Sequence, residues 1–447
     1  MPMLPAHPNL DQLRRQAKEL LRDARAGDAD AIRRIDAVSD RRTLAAAQLA
    51  VARGYGFTSW SQLKDAVDAQ RSSLAEALAA FLAASIGGRM QRAALLLDAM
   101  PELAAEFAAA VVLGDVGRVR TGLERDPQLA TRPDPSTGWT ALHAACSSRW
   151  HQLEPGRAAG ILTVVRLLLD TGAASTEPNA QRPGWQPLRC AIAISNSGPS
   201  NLGVVDLLLA RGAIPNDHDL YLAGFAHDRL ELLPLLIAQL PDDVELRQAL
   251  AAPISNRDAA SLRLLLDAGA NPQRYLDDDG NAVPAVRAAL NAGCGREIIE
   301  LLVGHGADET AVDRFLLACL TGDRSAATRL AEYDAGLIGR FETQYGAVFV
   351  RAAELGNVDA VTLMLDLGVP LATRGENGGT ALHAAAYSGS VETVRLLLGR
   401  GADIYAHDTT WDSTPLGWAE VGSEERPAVA ASPDWEETTR VLREAGA

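Results

Sequence analysis

A repeated sequence unit is the feature that most restricts how this chain can fold. Its clearest copy spans residues 378–403 and reads GGTALHAAAYSGSVETVRLLLGRGAD. An earlier copy begins at residues 138–145 (GWTALHAA) and continues with residues 164–169 (VVRLLL) and 172–173 (GA). A short sequence unit that recurs along the chain is typical of proteins that stack one small structural unit many times.

Each copy contains the signals for two short helices. Thr380 is placed to cap the first helix by accepting hydrogen bonds from its orphan amides, and Gly389 to end it in the left-handed conformation. Alanines at 384–386 keep this helix thin. Residues 391, 394, 397 and 398 are apolar, which is the spacing of a helical stripe. Because one helix pair cannot bury its own faces, the pattern predicts a continuous core made by stacking.

The motif T-x-L-H-x-A, followed by a second helix and a terminal Gly-Ala, resembles the ankyrin repeat. The resemblance implies an all-α fold, an ankyrin-repeat α-solenoid with short β-hairpin-like fingers. Counting degenerate copies, we expect about ten or eleven repeats over residues 74–447. Weaker copies end near residues 209, 266, 303 and 365, and degenerate copies cover residues 107–129, 221–240 and 315–330.

Residues 1–73 lack the repeat, and we expect them to form a small helical N-terminal domain. Apolar residues between Leu10 and Leu21 recur at helical spacing, and three further helices are predicted after them. The sequence RGYGFTSW at residues 53–60 resembles an N-terminal segment found in many bacterial ankyrin-repeat proteins. The sequence therefore suggests a bacterial protein.

The charge is strongly and unevenly acidic. The net charge is −15, and residues 1–71 contain twelve Lys and Arg against nine Asp and Glu, so the repeat region is more acidic still. Such a surface repels nucleic acid and anionic lipid, because phosphate contacts need clustered cations. It attracts basic partners.

Several features favour a cytoplasmic protein. No apolar run is long enough to span a membrane, and the first ten residues do not resemble a signal peptide. Four widely spaced cysteines, at positions 146, 190, 294 and 319, fit small buried side chains in a reducing compartment better than a disulfide framework. Export as an effector stays open, since such signals are often cryptic.

Catalytic motifs are absent from the sequence. It contains no HExxH, CxxC, G-x-S-x-G or Gly-rich phosphate loop, so we expect no metal, no cofactor and no catalytic residue. His143 and His383 belong to the repeat motif, where the resemblance implies a structural role. The alternative is an enzyme or small-molecule binder with a pocket in the degenerate central repeats. It would use Asp217, His218, Asp219, His227 and the loop with His151 and Glu154.

Two adjacent repeats are longer than the others. Twenty-seven residues separate Thr140 from Leu167, against 16 between Thr380 and Leu396, so this repeat has 11 additional residues. The next repeat has five additional residues, which include residues 195–199. Both insertions fall between the two helices of a pair and should lie side by side. Loops that extend a rigid scaffold commonly bind partners, although insertions of this kind also accumulate neutrally.

The aromatic residues near the first helices suggest a contact surface. Trp139 and Trp185 occupy the same finger position in consecutive repeats, and Trp411 a similar one in the last repeat. An exposed pair would be a natural hot spot; the structural alternative is packing between fingers. Arg189 and Arg287 replace the motif histidine; we favour pairing with acidic neighbours over contact with an anionic ligand. The predicted partner-binding residues are Trp139, Trp185, Trp150, His151, Glu154, Arg189, Tyr221, Phe225 and His227.

These patterns favour a protein–protein interaction scaffold. We expect an acidic concave groove that holds a basic or extended protein segment, with contacts concentrated near repeats two to four. A rigid solenoid loses little entropy when it binds.

Overall fold

The computed structural model describes residues 9–39, 41–71, 73–134, 138–179, 182, 184–192, 199–334, 336–375, 377–425 and 432–447. The chain forms two compact units, the first comprising residues 1–215 and 226–228 and the second residues 216–225 and 229–447. Within the described residues, isolated β-bridges join Leu276 to Ala282 and Arg374 to Thr380, and each closes one finger. All other regular structure there is helical, which confirms the predicted all-α class.

The first unit contains thirteen α-helices in its described residues. They are α1 (Leu10–Arg25), α2 (Ala29–Asp36), α3 (Leu44–Gly54), α4 (Trp60–Arg71), α5 (Leu74–Ile86), α6 (Met90–Ala99), α7 (Phe107–Leu113), α8 (Val116–Arg125), α9 (Ala141–Cys146), α10 (Trp150–Leu153), α11 (Arg157–Asp170), α12 (Pro187–Ile192) and α13 (Leu202–Ala210). Helices α1 to α4 share a core of their own, built on residues such as Leu13, Ala17, Ile35, Leu63 and Val67. The domain boundary near residue 73 stays a prediction.

The described residues of the second unit form seven helix pairs. They are α14 (Asp217–Ala223) with α15 (Arg229–Ile237), α16 (Ala251–Asn256) with α17 (Ala259–Asp267), α18 (Ala285–Asn291) with α19 (Arg296–Gly304), α20 (Ala311–Leu320) with α21 (Arg324–Tyr333), α22 (Gly346–Glu354) with α23 (Val358–Asp366), α24 (Ala381–Tyr387) with α25 (Val391–Gly399), and α26 (Pro415–Glu425) with α27 (Trp435–Glu444). None of the helices in the described part of the chain has both the length and the apolar character needed to cross a bilayer.

Thr380 occupies the predicted N-cap position of α24, where its amide donates to His383 Nδ1, and the capping bond from a side chain is seen at the equivalent Thr140. The Thr140 side chain caps α9 by accepting a hydrogen bond from the His143 amide. Gly389, with φ of 70°, follows α24 in the left-handed region that favours glycine. The first helices then stack on one another, as α22 does on α24 and α24 on α26, and this stacking buries their alanine faces.

The motif histidines join neighbouring fingers. His383 accepts a hydrogen bond from the Thr380 amide at Nδ1 (3.1 Å), and its Nε2 donates to the Ser413 carbonyl at 3.1 Å. His143 makes the same bridge to the Glu177 carbonyl at 3.1 Å. Both side chains are buried. The structural role implied by the ankyrin resemblance is therefore confirmed.

These histidines should make stability depend on pH. Burial lowers the pKa of His143 and His383 below its ordinary value of 6.5, although hydrogen bonds to carbonyl groups oppose the shift. The folded state therefore takes up the proton less readily than the unfolded state, and stability present at neutral pH is lost as the pH falls through 6.5. We expect the melting temperature to drop between pH 7.5 and 5.5, and to drop less in a His143→Gln/His383→Gln variant. An equal drop in both proteins would contradict this.

The four cysteines are buried and free, as predicted. Burial raises the pKa of the Cys190, Cys294 and Cys319 thiols to about 12 and that of Cys146 well above its ordinary value. The thiols therefore stay protonated and behave as small apolar core groups.

Candidate partner-binding groove

The finger tryptophans of the first unit pack against each other. The ring centroids of Trp139 and Trp185 lie 6.2 Å apart, edge to face, and Trp139 meets the His143 ring at 6.0 Å. Trp139 is only 8% exposed, whereas Trp185 is half-buried beneath the Arg182 guanidinium. Packing between fingers, the structural alternative, therefore accounts for Trp139, and a partner contact at this pair would depend on Trp185.

The first insertion folds into the protein instead of projecting from it. It forms α10 and the beginning of α11. Trp150 on α10 is 2% exposed, donates its indole N–H to Ser85 Oγ at 3.2 Å and lies 5.9 Å from the Phe81 ring. A buried indole cannot contact a partner, so the surface role predicted for Trp150 does not fit the structure.

The two insertions meet at Pro199. The Nε2 atom of His151 and the side-chain amide of Gln152 both donate to the Pro199 carbonyl, at 3.0 and 3.1 Å. The predicted side-by-side arrangement is therefore confirmed there, while residues 195–198 lie outside the described residues. His151 is 7% exposed, and its burial lowers its pKa. Glu154 stays on the surface, in an ion pair with Arg157 at 2.9 Å.

Arg189 and Arg287, which replace the histidine of the repeat motif, make contacts within the protein. Arg287 donates two hydrogen bonds to the buried Asp313 carboxylate, at 2.8 and 2.6 Å, and its guanidinium lies 5.0 Å over the Tyr345 ring. Arg189 donates to the Gly184 carbonyl at 2.6 Å. The expected acidic neighbour is thus confirmed for Arg287, and a partner contact by Arg189 stays a prediction.

The remaining predicted residues divide between the two units. Tyr221 and Phe225 belong to the second unit, where their half-buried rings meet edge to face at 5.2 Å. His227 belongs to the first unit and is exposed. Asp217, which the enzymatic alternative uses, accepts hydrogen bonds from three consecutive backbone amides at residues 247–249. These bonds hold the backbone of residues 247–249, in the next finger, in place. A catalytic or small-molecule-binding role for Asp217 stays a prediction.

A cavity of about 1010 Å³ opens on the second unit. Its lining comes from the first helices α16, α18, α22, α24 and α26 and from fingers at residues 275–284, 375–379 and 411–413. Within the described residues, no second helix of a pair contributes to the lining. Because α18 also packs against α22, the pair α20–α21 does not interrupt this surface, which we call the groove.

One end of the groove is acidic. Asp277 shapes its finger by accepting hydrogen bonds from the Asp279 and Asn281 amides, at 3.1 and 2.7 Å. Asp278 accepts a bond from Ser255 Oγ at 2.9 Å. The side chains of Asp278 and Asp279 are exposed. This finger therefore presents two carboxylates to an approaching ligand.

The middle of the groove contains polar pairs. The Arg351 guanidinium bonds Glu354 at 2.6 Å, and the Tyr387 hydroxyl donates to Glu425 at 2.6 Å. The bond to Glu425 raises the pKa of Tyr387 to about 12. The described lining residues contribute five carboxylates and two guanidiniums, and the guanidinium of Arg287 is already paired outside the groove with Asp313. The described lining of the groove is therefore acidic.

The other end of the groove is aromatic. Trp411 is 61% exposed and Val421 is 48% exposed. The Trp418 ring lies edge to face with Trp411 at 5.7 Å and with Tyr387 at 6.1 Å. A large exposed indole beside other aromatic rings is the kind of surface that anchors a partner.

A buried carboxylate holds the finger that presents Trp411. Asp408 is 3% exposed and accepts hydrogen bonds from the amides of Thr410, Trp411 and Ser413, and from the Trp418 indole, at 2.8, 2.6, 3.0 and 2.8 Å. Burial opposes its ionisation, but these bonds lower the pKa of Asp408 to about 2. The finger also includes Asp412 in the left-handed region, with φ of 53°. The backbone of the finger at Trp411 is therefore held in place without a partner.

Some groove residues were missed at the sequence level. Trp418 could have been found from its size, because the clearer copies of the repeat have an alanine at this position, Ala384 or Ala144. The signal for the acidic finger was three consecutive aspartates at 277–279. Tyr387 and Glu425 gave no local signal, since only the stacking of α24 on α26 brings them together.

Comparison with known proteins agrees with this architecture. Residues 137–182 match the family model described as the ankyrin repeat, and residues 315–408 match the model described as ankyrin repeats in three copies. A segment of 55 residues is 51% identical to inversin from Danio rerio, and the match covers 12% of this chain and 5% of that protein. The chain therefore contains ankyrin repeats, a protein–protein interaction module, at residues 137–182 and 315–408.

Proposed function

We propose that this protein is an interaction scaffold whose second-unit groove binds an extended, basic segment of another protein. The observation that supports this most directly is the composition of the groove, where five carboxylates accompany a 61% exposed tryptophan. A cationic segment gains from the acidic lining through faster association and selection against acidic competitors. The exposed indole supplies the apolar contact from which most binding energy comes.

The proposed site lies in later repeats than the sequence suggested. Trp139, Trp150 and His151 are buried in the first unit, so they offer little surface to a partner. The groove in the second unit instead combines exposed side chains with a backbone held by finger-to-finger hydrogen bonds. One such bond joins the Thr410 hydroxyl to the Asn377 carbonyl at 2.9 Å. A preorganised surface of this kind loses little conformational entropy on binding.

A charge-matched pair of variants tests the site. The ligand is a fluorescein-labelled peptide of about twelve residues with alternating lysine and alanine, and binding is followed by anisotropy at low and moderate salt. In Asp278→Asn/Asp279→Asn we expect roughly three- to tenfold weaker binding, because each exposed ion pair contributes up to about 1 kcal/mol. Salt should reduce this difference by screening.

The control removes two charges from the opposite side of the helix pairs. Glu300 on α19 and Glu332 on α21 are exposed and lie outside the groove lining. Glu300→Gln/Glu332→Gln has the same net charge as the test variant and should bind like the wild type. Equal weakening in both variants would mean that the peptide senses only the overall charge, and the proposed site would then be wrong.

A further inference from the structure

We propose that the aromatic end of the groove is a subsite for a single arginine side chain of the bound segment. The subsite consists of Trp411, Trp418, Tyr387 and Glu425, which all line the same cavity. This inference rests on the proposed function and specifies which chemical group the partner must place at this end.

The three rings form an angled corner. The plane of Trp418 is inclined by 67° to that of Trp411 and by 80° to that of Tyr387, with centroid distances of 5.7 and 6.1 Å. In an edge-to-face pair the edge of one ring covers at most one face of the other, so other ring faces of this corner stay uncovered by the pairing. The face of Trp411 is the most accessible, since this residue is 61% exposed. A cation placed over such a face is attracted by the ring quadrupole.

Hydrogen bonds hold the corner in place. The Trp418 indole N–H donates to Asp408 at 2.8 Å, and the Tyr387 hydroxyl donates to Glu425 at 2.6 Å. The Tyr387 carbonyl in turn accepts a bond from the Trp435 indole at 2.8 Å. The rings of Trp418 and Tyr387 therefore need no rearrangement to receive a ligand, which lowers the entropic cost of binding.

The charges at this end favour a cation. Glu354 is paired with Arg351, whereas Glu425 has a neutral donor, Tyr387, and no ion-pair partner among the described residues. Glu425 is exposed. Its carboxylate therefore retains a net charge and acceptor positions beside the aromatic corner.

Arginine fits this combination better than lysine. A guanidinium is planar and weakly hydrated, so it can stack on an indole while donating two parallel hydrogen bonds to one carboxylate. A lysine ammonium is more strongly hydrated and cannot make the two-pronged bond. An apolar side chain would fill the corner but leave Glu425 without a counter-charge.

Guest residues in one host peptide test the subsite on the full chain. The host is the lysine–alanine peptide described above, with one central guest: arginine, lysine, citrulline, norleucine or trimethyllysine. Citrulline has nearly the shape of arginine but no charge. We expect the arginine guest to bind about tenfold more tightly than citrulline and several-fold more tightly than lysine. The arginine-to-citrulline ratio should fall towards one in Glu425→Gln.

The outcomes separate the two proposals. Equal affinity for all guests, or tighter binding of citrulline, norleucine or trimethyllysine than of arginine, would overturn the arginine subsite and leave the groove intact. If no host peptide binds in the groove, whatever its guest, then the proposed function fails as well. The variant Tyr333→Ala, at a 90% exposed tyrosine on α21 outside the groove lining, should preserve the wild-type ranking.

Discussion

Replacing Trp411 by alanine should weaken binding of the arginine-guest peptide by about 30-fold, which corresponds to about 2 kcal/mol. The indole is 61% exposed in the absence of a partner, and burying it on binding would remove a large apolar surface from water. The same substitution removes the accessible π face of the proposed arginine subsite. Anisotropy titrations of wild type and Trp411→Ala with the same peptide measure the loss.

A measurement of folding stability is the control for this result, because an unfolded variant would also lose affinity for the peptide. Because Trp411 is largely exposed, truncating its side chain should change the free energy of unfolding little. Tyr333→Ala removes a comparably exposed aromatic residue from outside the groove and should leave peptide affinity unchanged. A loss of less than about twofold in Trp411→Ala would show that the anchor lies elsewhere.

Replacing Asp408 by alanine should have the largest effect on stability, about 2–4 kcal/mol. The substitution leaves three backbone amides and the Trp418 indole without their acceptor. The Asp408 side chain is buried, so water replaces those bonds poorly. Urea unfolding at pH 7 measures the change. Asp408→Asn retains one acceptor oxygen, so its free energy of unfolding should lie between those of Asp408→Ala and the wild type. As a control, Glu332→Ala at an exposed position should change the free energy of unfolding by no more than about 0.5 kcal/mol.

The pH dependence of the Asp408 variants gives a second measurement. The pKa of Asp408 is about 2 in the folded protein, below its ordinary value of 3.8, so the folded state favours the ionised form. The stability from this carboxylate is complete above about pH 4 and is lost as the pH falls towards 2. The difference between wild type and Asp408→Ala should therefore shrink below pH 4. A difference that does not change with pH would contradict an ionised acceptor.

Loss of the Asp408 carboxylate should also reduce peptide binding. The finger that contains Trp411 depends on these bonds and includes a left-handed aspartate, so it would become mobile without them. We expect affinity to fall in Asp408→Ala although the Trp411 side chain is still present.

The helical repeats could be predicted from the sequence because their causes are local. Capping by Thr140, termination at Gly389 and the alanine faces of the first helices depend on residues a few positions apart. The roles of His143 and His383 followed from the ankyrin resemblance, since each histidine reaches the next finger at a distance along the chain that the repeat itself sets. The acidic character of the repeat region followed from composition, whereas the place of the groove in the second unit did not.

Exposure of the finger tryptophans could be decided only by tertiary structure. Trp139 and Trp411 occupy similar positions in their repeats, yet they are 8% and 61% exposed. Trp139 packs against both the His143 ring and the indole of Trp185, whereas among the described residues the ring contact of Trp411 is with Trp418 alone. The repeat sequence thus determined which elements form and how they stack. Which side chains remain available to a partner depended on the neighbouring repeat, because burial is set by contacts that no single repeat contains.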